Sequence, residues 1–240
     1  RKFSIFASNM RTAILFLFLA TSWVFAQSDR CTLPSRIPSP RLERDDCVNR
    51  AKPDMHVLAL SWSPDFCQSA RKGDPDTRFQ CELNRFGFVV HGLWPNRRAA
   101  RGKCEQPRNC ASSLVSDSLV GKFLCVMPGV QLIQSQWEKH GSCSGLPQVA
   151  YFAQIDRLWN SLVLPDLRRL APPSGTMPVR AIRKAFADAN AKSGITQEAV
   201  VVDVRDGDLA EVKICYDLSY KPTKCPAGIG ATSGTARIVR

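Results

Sequence analysis

Apolar residues along the chain are grouped into short runs and amphipathic stretches. The runs Met55–Trp62 and Phe86–Val90 are short and continuous, which is typical of buried strands. The second run leads directly into His91, and Pro95 follows shortly after. Because proline cannot donate to a strand ladder, we expect the strand to stop before Pro95 and His91 to lie at its end, facing a cleft.

Later segments combine helical and strand patterns. Apolar residues spaced three or four apart predict helices over Val149–Leu164 and Pro178–Lys192, and a weaker pattern predicts one over Ser116–Val126. The runs Val200–Arg205 and Leu209–Tyr216 flank an Asp-Gly-Asp turn, which predicts a β-hairpin. Helices and strands do not alternate regularly, so we expect an α+β fold, with one domain over residues 27–240 and a central antiparallel sheet flanked by helices.

The first 26 residues have the pattern of a targeting segment. Ala13–Phe25 is uncharged and mostly apolar, Arg11 precedes it and Ala26 ends it. These features predict a signal peptide over residues 1–26 that is cleaved after Ala26. A membrane anchor is the alternative, but a spanning helix needs about 20 apolar residues. Translation from Met10 would make residues 1–9 an upstream extension.

Ten cysteines follow this segment. An even number of cysteines in an exported chain favours disulfides over a metal site. Spacing alone does not determine the pairing. Our working expectation pairs sequence neighbours: Cys31–Cys47, Cys67–Cys81, Cys104–Cys110, Cys125–Cys143 and Cys215–Cys225.

The chain is strongly basic, with 33 Lys and Arg against 21 Asp and Glu. Removal of residues 1–26 would delete three basic residues and no acidic one, so the excess persists. Such an excess favours a polyanionic substrate or partner, although it also serves solubility alone. Arg97–Lys103 concentrates the charge in one predicted loop, which suggests a segment that follows phosphates.

Two segments place a histidine beside glycine and an aromatic residue: His91-Gly92-Leu93-Trp94-Pro95 and Trp137-Glu138-Lys139-His140-Gly141-Ser142-Cys143. A single histidine is usually structural, and we interpret His56, inside the first predicted strand, in that way. Two histidines in a basic chain suit cleavage of a phosphodiester that has a neighbouring 2′-hydroxyl. One imidazole takes the hydroxyl proton, the other protonates the leaving 5′-oxygen, and neither step requires a metal or cofactor.

These segments resemble the two active-site segments of the ribonuclease T2 family, most closely its bacterial periplasmic branch. Leu60-Ser61-Trp62 followed by Phe66-Cys67 resembles the first core strand of that family. The resemblance implies cleavage of single-stranded RNA through 2′,3′-cyclic phosphates to 3′-phosphates. It implies that His91 is the general acid, His140 the general base and Lys139 the phosphate-stabilising cation. Trp94 matches a position associated with base binding, although core packing is an alternative for it.

The second segment departs from the family pattern at two positions. Gln136 stands where an acidic residue is usual, and Ser135 stands where many members carry an auxiliary histidine. An amide still donates a hydrogen bond, so we retain Gln136 as a catalytic candidate, but it cannot shuttle a proton. We group Ser135 and Trp137 with Trp94 as substrate-binding candidates, together with Asn96, which occupies a position where some members have an acidic base-recognition residue.

The favoured hypothesis is therefore a secreted or periplasmic monomeric endoribonuclease that acts on RNA, does not cleave DNA, and keeps no stable membrane anchor after signal cleavage. The alternative, motivated by Gln136 and Ser135, is a catalytically weakened relative that binds RNA or another polyanion. A disulfide-rich structural or inhibitor protein ranks last, because it leaves both histidine segments unexplained.

Overall fold

The computed structural model describes residues 31–43 and 47–240, so the predicted signal peptide lies outside the described residues. The described strands are β1 Met55–Trp62, β2 Phe88–Asn96, β3 Thr176–Pro178, β4 Val200–Arg205, β5 Asp208–Tyr216 and β6 Thr235–Arg237. The described α-helices are α1 Ser63–Ser69, α2 Pro75–Thr77, α3 Asp117–Phe123, α4 Val130–Lys139, α5 Gln148–Ser161, α6 Leu167–Leu170 and α7 Val179–Ala189. None of the helices in this part of the chain is long and apolar enough to cross a membrane.

The strands form one sheet in the order β2-β1-β5-β6-β3, with β4 also paired to β5. The pairings of β2, β1, β5 and β4 are antiparallel, and a single parallel pair joins β5 to β6. The predicted α+β fold with a central, largely antiparallel sheet and flanking helices is confirmed. The hairpin of β4 and β5 is also confirmed, as are the three helices, whose ends differ by one to three residues from the predicted bounds.

The two faces of the sheet differ in what covers them. One face carries the main core, in which Leu58, Leu60 and Ile214 pack against helical residues such as Phe152 and Ile182. The opposite face has a small separate cluster: Met55, Val57, Val201, Cys215 and Cys225, with Trp94 packed against it. Because side chains alternate between faces, β1 and β5 contribute to both layers.

Strand β2 runs past the predicted stop. It continues to Asn96, and Pro95 is paired in register with His56. The prediction that Pro95 ends the strand was wrong because β2 lies at the edge of the sheet, where a residue without an N–H is tolerated. His91 therefore lies within the strand. The pairing shifts there, from Ala59 opposite Gly92 to Leu60 opposite Val90, which leaves His91 as the extra residue of a β-bulge.

Ten cysteines form five disulfides in the structure, and the described residues contain no free cysteine. Cys67–Cys81 and Cys215–Cys225 agree with the expected pairing of neighbours. The other expected pairs, Cys31–Cys47, Cys104–Cys110 and Cys125–Cys143, are wrong. The observed bonds are Cys31–Cys125, Cys47–Cys104 and Cys110–Cys143.

The error has a tertiary cause. The N-terminal segment 31–43 lies across distant parts of the chain, where the Thr32 N–H donates to Asn84 Oδ1 and the Arg41 N–H to Gln131 Oε1. This path brings Cys31 to Cys125, across a separation of 94 residues. Neighbour pairing assumes local loops, and it fails where the fold brings remote loops together.

Candidate active site

The C-terminal end of α4 presents two of the predicted residues on one side. Gln136 and His140 are four residues apart, and the His140 N–H donates to the Gln136 carbonyl at 3.1 Å. This spacing places both side chains on the same helix face. His140 is the residue that ends the helix.

Trp94 on β2 joins the two histidine segments. Its indole N–H donates to Gln136 Oε1 at 2.8 Å. Its ring stacks on His140 with centroids 5.3 Å apart, and it meets the edge of His91 at the same centroid distance. The fold therefore brings together His91, Trp94, Gln136 and His140, although 42 residues of sequence separate Trp94 from Gln136.

Gly92 makes this close approach possible. A Cβ atom at position 92 would lie 2.0 Å from Gln136 Oε1 and 2.7 Å from Trp94 Nε1. Both are far inside van der Waals contact, so any larger residue would displace the amide or the indole. Gly92 thus leaves room for the Gln136 amide and the Trp94 indole to meet against β2.

Glu211 on β5 was missed by the sequence analysis. Its carboxylate oxygen Oε1 pairs with His91 Nδ1, and it also accepts from Ser61 Oγ at 3.3 Å. Lys213 Nζ is 3.8 Å from the other oxygen, Oε2. Burial alone would raise the pKa of Glu211, but the hydrogen bond from His91 and the positive charges of His91 and Lys213 lower it below its ordinary value. The carboxylate stays ionised, and it orients the His91 ring with Nδ1 towards β5 and Nε2 away from it.

A sequence signal for this carboxylate existed in β5. The strand reads Asp-Leu-Ala-Glu-Val-Lys-Ile-Cys-Tyr, and all of it except Lys213 is buried. A glutamate and a lysine at alternate positions of a buried strand share one face. Buried charges are usually paired, so these two residues indicated a polar site on that face.

Lys139 is held by an acidic partner outside the cluster of four. Its ammonium Nζ donates to Glu43 Oε2 at 2.8 Å, and both side chains are about a quarter exposed. Glu138, which precedes it, is buried and accepts from Ser112 Oγ and from the Glu43 N–H. Glu43 was also missed, because it lies 96 residues before Lys139 in an irregular segment.

Three predicted substrate-binding residues make their contacts elsewhere. Trp137 is buried, donates to Ser113 Oγ at 2.9 Å and packs beside Tyr151. Ser135 is buried and donates to the Leu132 carbonyl within its own helix. Asn96 is buried at the end of β2, where its carbonyl accepts from the Asp54 N–H. The structure does not bring these three to the histidines as it does Trp94.

His56 has the surroundings of a structural residue. It is 3% exposed, and its ring stacks on Tyr220 with centroids 4.6 Å apart. Burial lowers its pKa, which the nearby Asp217 carbonyl offsets only in part. A buried neutral histidine in a strand fits the interpretation that His56 supports the fold.

Comparison with known proteins finds relatives by sequence and solved structures with the same fold. The chain is 43% identical over 125 residues to a probable ribonuclease of Haemophilus influenzae, a match that covers 49% of this chain and 46% of that protein. It is 30% identical over 198 residues to ribonuclease I of Escherichia coli, covering 67% of this chain and 74% of that protein. The matches to the Haemophilus protein and to an Aeromonas hydrophila ribonuclease span less than half of those relatives.

Solved structures share the fold at lower identity. An RNase-related protein from Calystegia sepium superposes with a TM-score of 0.61 at 19% identity, covering 78% of this chain and 97% of that one. RNase NT in complex with 5′-AMP gives 0.60 at 19% identity, with 78% and 98% covered. The family model described as the ribonuclease T2 family matches residues 53–225, a range that contains His91, Trp94, Gln136, His140 and Glu211. By this match, the chain belongs to the ribonuclease T2 family.

Proposed function

We propose that this protein is an endoribonuclease that cleaves single-stranded RNA by attack of the 2′-hydroxyl on the neighbouring phosphate. The observation that carries the proposal is the placement of His91 and His140 against the same indole, Trp94, in a basic chain. Two imidazoles that contact one indole suit a reaction that needs a base at one oxygen and an acid at another. The nucleophile belongs to the substrate, so the reaction needs no metal-bound water.

In the first step, His140 takes the proton from the 2′-hydroxyl and the oxygen attacks phosphorus. The bond from phosphorus to the 5′-oxygen breaks, and His91 gives its proton to that oxygen. The products are a 2′,3′-cyclic phosphate and a free 5′-hydroxyl. In the second step the roles reverse: His91 takes a proton from water, the water oxygen opens the ring, and His140 returns a proton to the 2′-oxygen. The final product carries a 3′-phosphate.

Glu211 is a positioning residue in this scheme. Its ionised carboxylate accepts from His91 Nδ1, which keeps the proton for transfer on Nε2 and stabilises the imidazolium before it acts as an acid. Lys213 lies beside both Glu211 and the Trp94 ring, with its Nζ 5.3 Å from the ring centroid. Its Nζ is also paired with Asp203 Oδ2, so the charge of Lys213 is shared between two carboxylates and Lys213 acts here by holding Glu211 in place.

Gln136 supplies a neutral donor. Its Oε1 is engaged by the Trp94 N–H, which leaves the amide NH₂ to donate to a phosphoryl oxygen. Lys139 is assigned to the same phosphate by the family resemblance. In the structure its ammonium is paired with Glu43, so this assignment requires Lys139 to exchange one partner for the other when substrate binds.

The catalytically weakened relative remains the second candidate. The observation behind it is that neither position 135 nor position 136 carries a titratable group, and Ser135 Oγ is bonded to its own helix. Such a protein would bind RNA without cutting it. Retention of both histidines, and of a carboxylate that orients one of them, favours the enzyme.

We further propose that the protein is secreted or periplasmic and monomeric, with RNA but not DNA as substrate. Five disulfides fit an oxidising compartment. DNA lacks the 2′-hydroxyl nucleophile. The predicted signal peptide over residues 1–26 is tested by mass spectrometry of the secreted protein, which should begin at Gln27.

The decisive experiment compares three histidine variants on polymeric RNA. His91→Ala and His140→Ala should each lower kcat/KM by at least about 100-fold, the usual scale for loss of a general acid or base. His56→Phe is the matched control, because it removes an imidazole that lies outside the site. RNA with methylated 2′-hydroxyls should not be cut by the wild type. Cleavage of that RNA, or a folded His91 or His140 variant that keeps more than a tenth of the activity, would overturn the proposal. Binding of RNA by the wild type without cleavage would establish the second candidate.

A further inference from the structure

Basic residues follow the candidate site along the chain, where β2 leaves the sheet. Beyond Asn96, residues 97–103 form an exposed loop that carries Arg97 and Arg101. Lys224 is exposed on the segment that this loop contacts. We call Arg97, Arg101 and Lys224 the basic rim.

The rim is fastened to the fold. The Arg98 guanidinium donates to the Lys224 carbonyl at 2.9 Å, which joins the loop to the segment before Cys225. Cys225 in turn belongs to the apolar cluster against which Trp94 packs. The Arg97 N–H donates to Gln106 Oε1 at 2.7 Å, and the Cys47–Cys104 disulfide holds the far end of the loop. A loop tied at these points presents its charges with little ordering cost on binding.

The acidic residues near the rim bond its backbone. Glu105 Oε2 accepts from the Arg101 N–H and Asp54 Oδ1 from the Arg98 N–H, both at 2.9 Å. Among the described residues, the guanidinium groups of Arg97 and Arg101 form no ion pair with either carboxylate. Their positive charge is therefore available to an anion outside the protein.

The register of the sheet orders the site along β2. His91 lies opposite the Ala59–Leu60 step, Trp94 opposite Val57 and Asn96 opposite Met55. The rim follows Asn96, so it lies beyond Trp94 on the side away from His91. Arg97 is three residues from Trp94, or about 10 Å along an extended strand.

The segment that follows this loop is connected to the segment that carries His140. The Asn109 N–H donates to the Lys139 carbonyl at 3.2 Å, and Cys110 is bonded to Cys143. Along β2 the rim therefore lies beyond Trp94, on which His140 stacks, and on the side away from His91. In the proposed reaction His140 accepts the proton of the attacking 2′-hydroxyl, and that hydroxyl belongs to the nucleotide on the 5′ side of the scissile bond.

We propose that the basic rim is a phosphate-binding subsite for the RNA chain on the 5′ side of the cleaved bond, beyond the nucleotide that reacts. This inference rests on the proposed function for its polarity. Phosphate contacts of this kind add affinity without reading sequence, and they make binding salt-dependent. Longer RNA should therefore be a better substrate than a dinucleotide, and only when the extra nucleotides lie on the 5′ side.

The test uses three substrates with one cleavable bond each: a dinucleotide, a ten-nucleotide RNA extended 5′ and one extended 3′, all other 2′-hydroxyls being methylated. For Arg97→Gln/Arg101→Gln we expect kcat/KM to fall about 10-fold on the 5′-extended RNA and less than about twofold on the other two. The slope of log KM against log salt for the 5′-extended RNA should become shallower by about 1.4, at about 0.7 for each lost contact to a single strand.

Arg180→Gln/Lys192→Gln is the charge-matched control. Both residues are exposed, on α7 and the turn after it, and the double variant removes the same charge from another part of the surface. Equal losses in this control would show an effect of net charge and overturn the subsite. In Arg97→Gln/Arg101→Gln, a loss of kcat/KM confined to the 3′-extended RNA, or equal on both extended RNAs, would overturn the placement of the subsite on the 5′ side.

If the proposed function is wrong and the rim is right, the experiment gives a result that differs from failure of the rim. If the wild type cuts none of the three substrates, the dissociation constant of a fully 2′-O-methylated ten-nucleotide RNA tests the rim alone. Arg97→Gln/Arg101→Gln should then raise that constant about 10-fold relative to the charge-matched control. An unchanged constant would overturn the rim as a phosphate site.

Discussion

The two faces of the central sheet have different roles: one carries the main core, and the other carries the candidate site. The face under the helices is continuous with the main core, where Leu58, Leu60, Val212 and Ile214 are fully buried. The other face has only a small apolar cluster around Val57 and Cys215, and next to it lie the polar residues of the candidate site. Both faces are built by the same strands, since successive residues point in opposite directions.

The comparison shows where charge is tolerated in a buried strand. On β5, Val212 and Ile214 belong to the core, while Glu211 and Lys213, which alternate with them, face the site. Glu211 is buried but keeps its charge because His91, Lys213 and Ser61 surround it. We call the face under the helices the covered face and the face that carries the candidate site the open face. A substitution on the covered face should therefore change stability, and one on the open face should change activity.

The largest expected effect is on the covered face. Phe186 on α7 is fully buried and meets Phe88 edge-on at 5.3 Å. Phe186→Ala should lower the free energy of unfolding by about 3–5 kcal/mol, the usual cost of such a cavity. Denaturant unfolding with the disulfides intact measures this change. Arg180→Ala, on the exposed side of the same helix, should change it by less than about 0.5 kcal/mol. A large loss of kcat/KM per folded Phe186→Ala molecule would show that the covered face also determines activity.

Gln136 tests the contact between α4 and the open face. Gln136→Ala should lower kcat/KM by about 10- to 1000-fold, the scale for loss of one transition-state donor. Gln136→Glu should shift the pH optimum towards acid, because a carboxyl donates only when protonated. Profiles of kcat/KM against pH on one dinucleotide compare the variants, with Ser135→Ala as the neighbouring control. If Gln136→Ala matches the wild type at every pH, residue 136 has no catalytic role.

Glu211 tests whether the site-facing side of β5 supports His91. Glu211→Gln should lower kcat about 10-fold with little change in KM, because the amide orients His91 but no longer stabilises its protonated form. The readout is the shape of the profile of kcat against pH, which a merely structural role of Glu211 would leave unchanged. Glu211→Asp should restore part of the activity. A profile identical to the wild type would remove Glu211 from the mechanism.

The lowered pKa of Glu211 also predicts a stability effect with a defined sign. A carboxyl whose pKa is lower in the folded state contributes stability above its unfolded pKa, near 4.3, and loses it as pH falls through the folded value. This acid-dependent loss should be smaller in Glu211→Gln than in the wild type. Denaturant unfolding between pH 6 and pH 3 provides the measurement.

The smallest effect is expected at His56. Burial lowers its pKa, so the unfolded chain binds a proton that the folded one does not, and stability falls as pH drops below about 6.5. His56→Phe should remove that part of the fall between pH 7 and pH 5, while the ring keeps its place beside Tyr220. An unchanged pH dependence would show that His56 does not titrate in this range.

The sequence determined the element types and the catalytic candidates because both are local. Met55–Trp62 and Leu209–Tyr216 are apolar enough to be buried strands in any arrangement, and helical spacing marked α5 and α7. His91, Trp94, Gln136 and His140 were identified from two short segments, and the fold places them together.

Only the tertiary structure decided which residues pair across long stretches of sequence. Glu211 reaches His91 across 120 residues, Glu43 reaches Lys139 across 96, and Cys31 reaches Cys125 across 94. The position of His91 in a bulge and the tolerance for Pro95 followed from β2 being an edge strand. Local patterns report on burial and backbone preference, whereas contacts between remote segments depend on how whole elements pack, and no window of sequence contains both sides of such a contact.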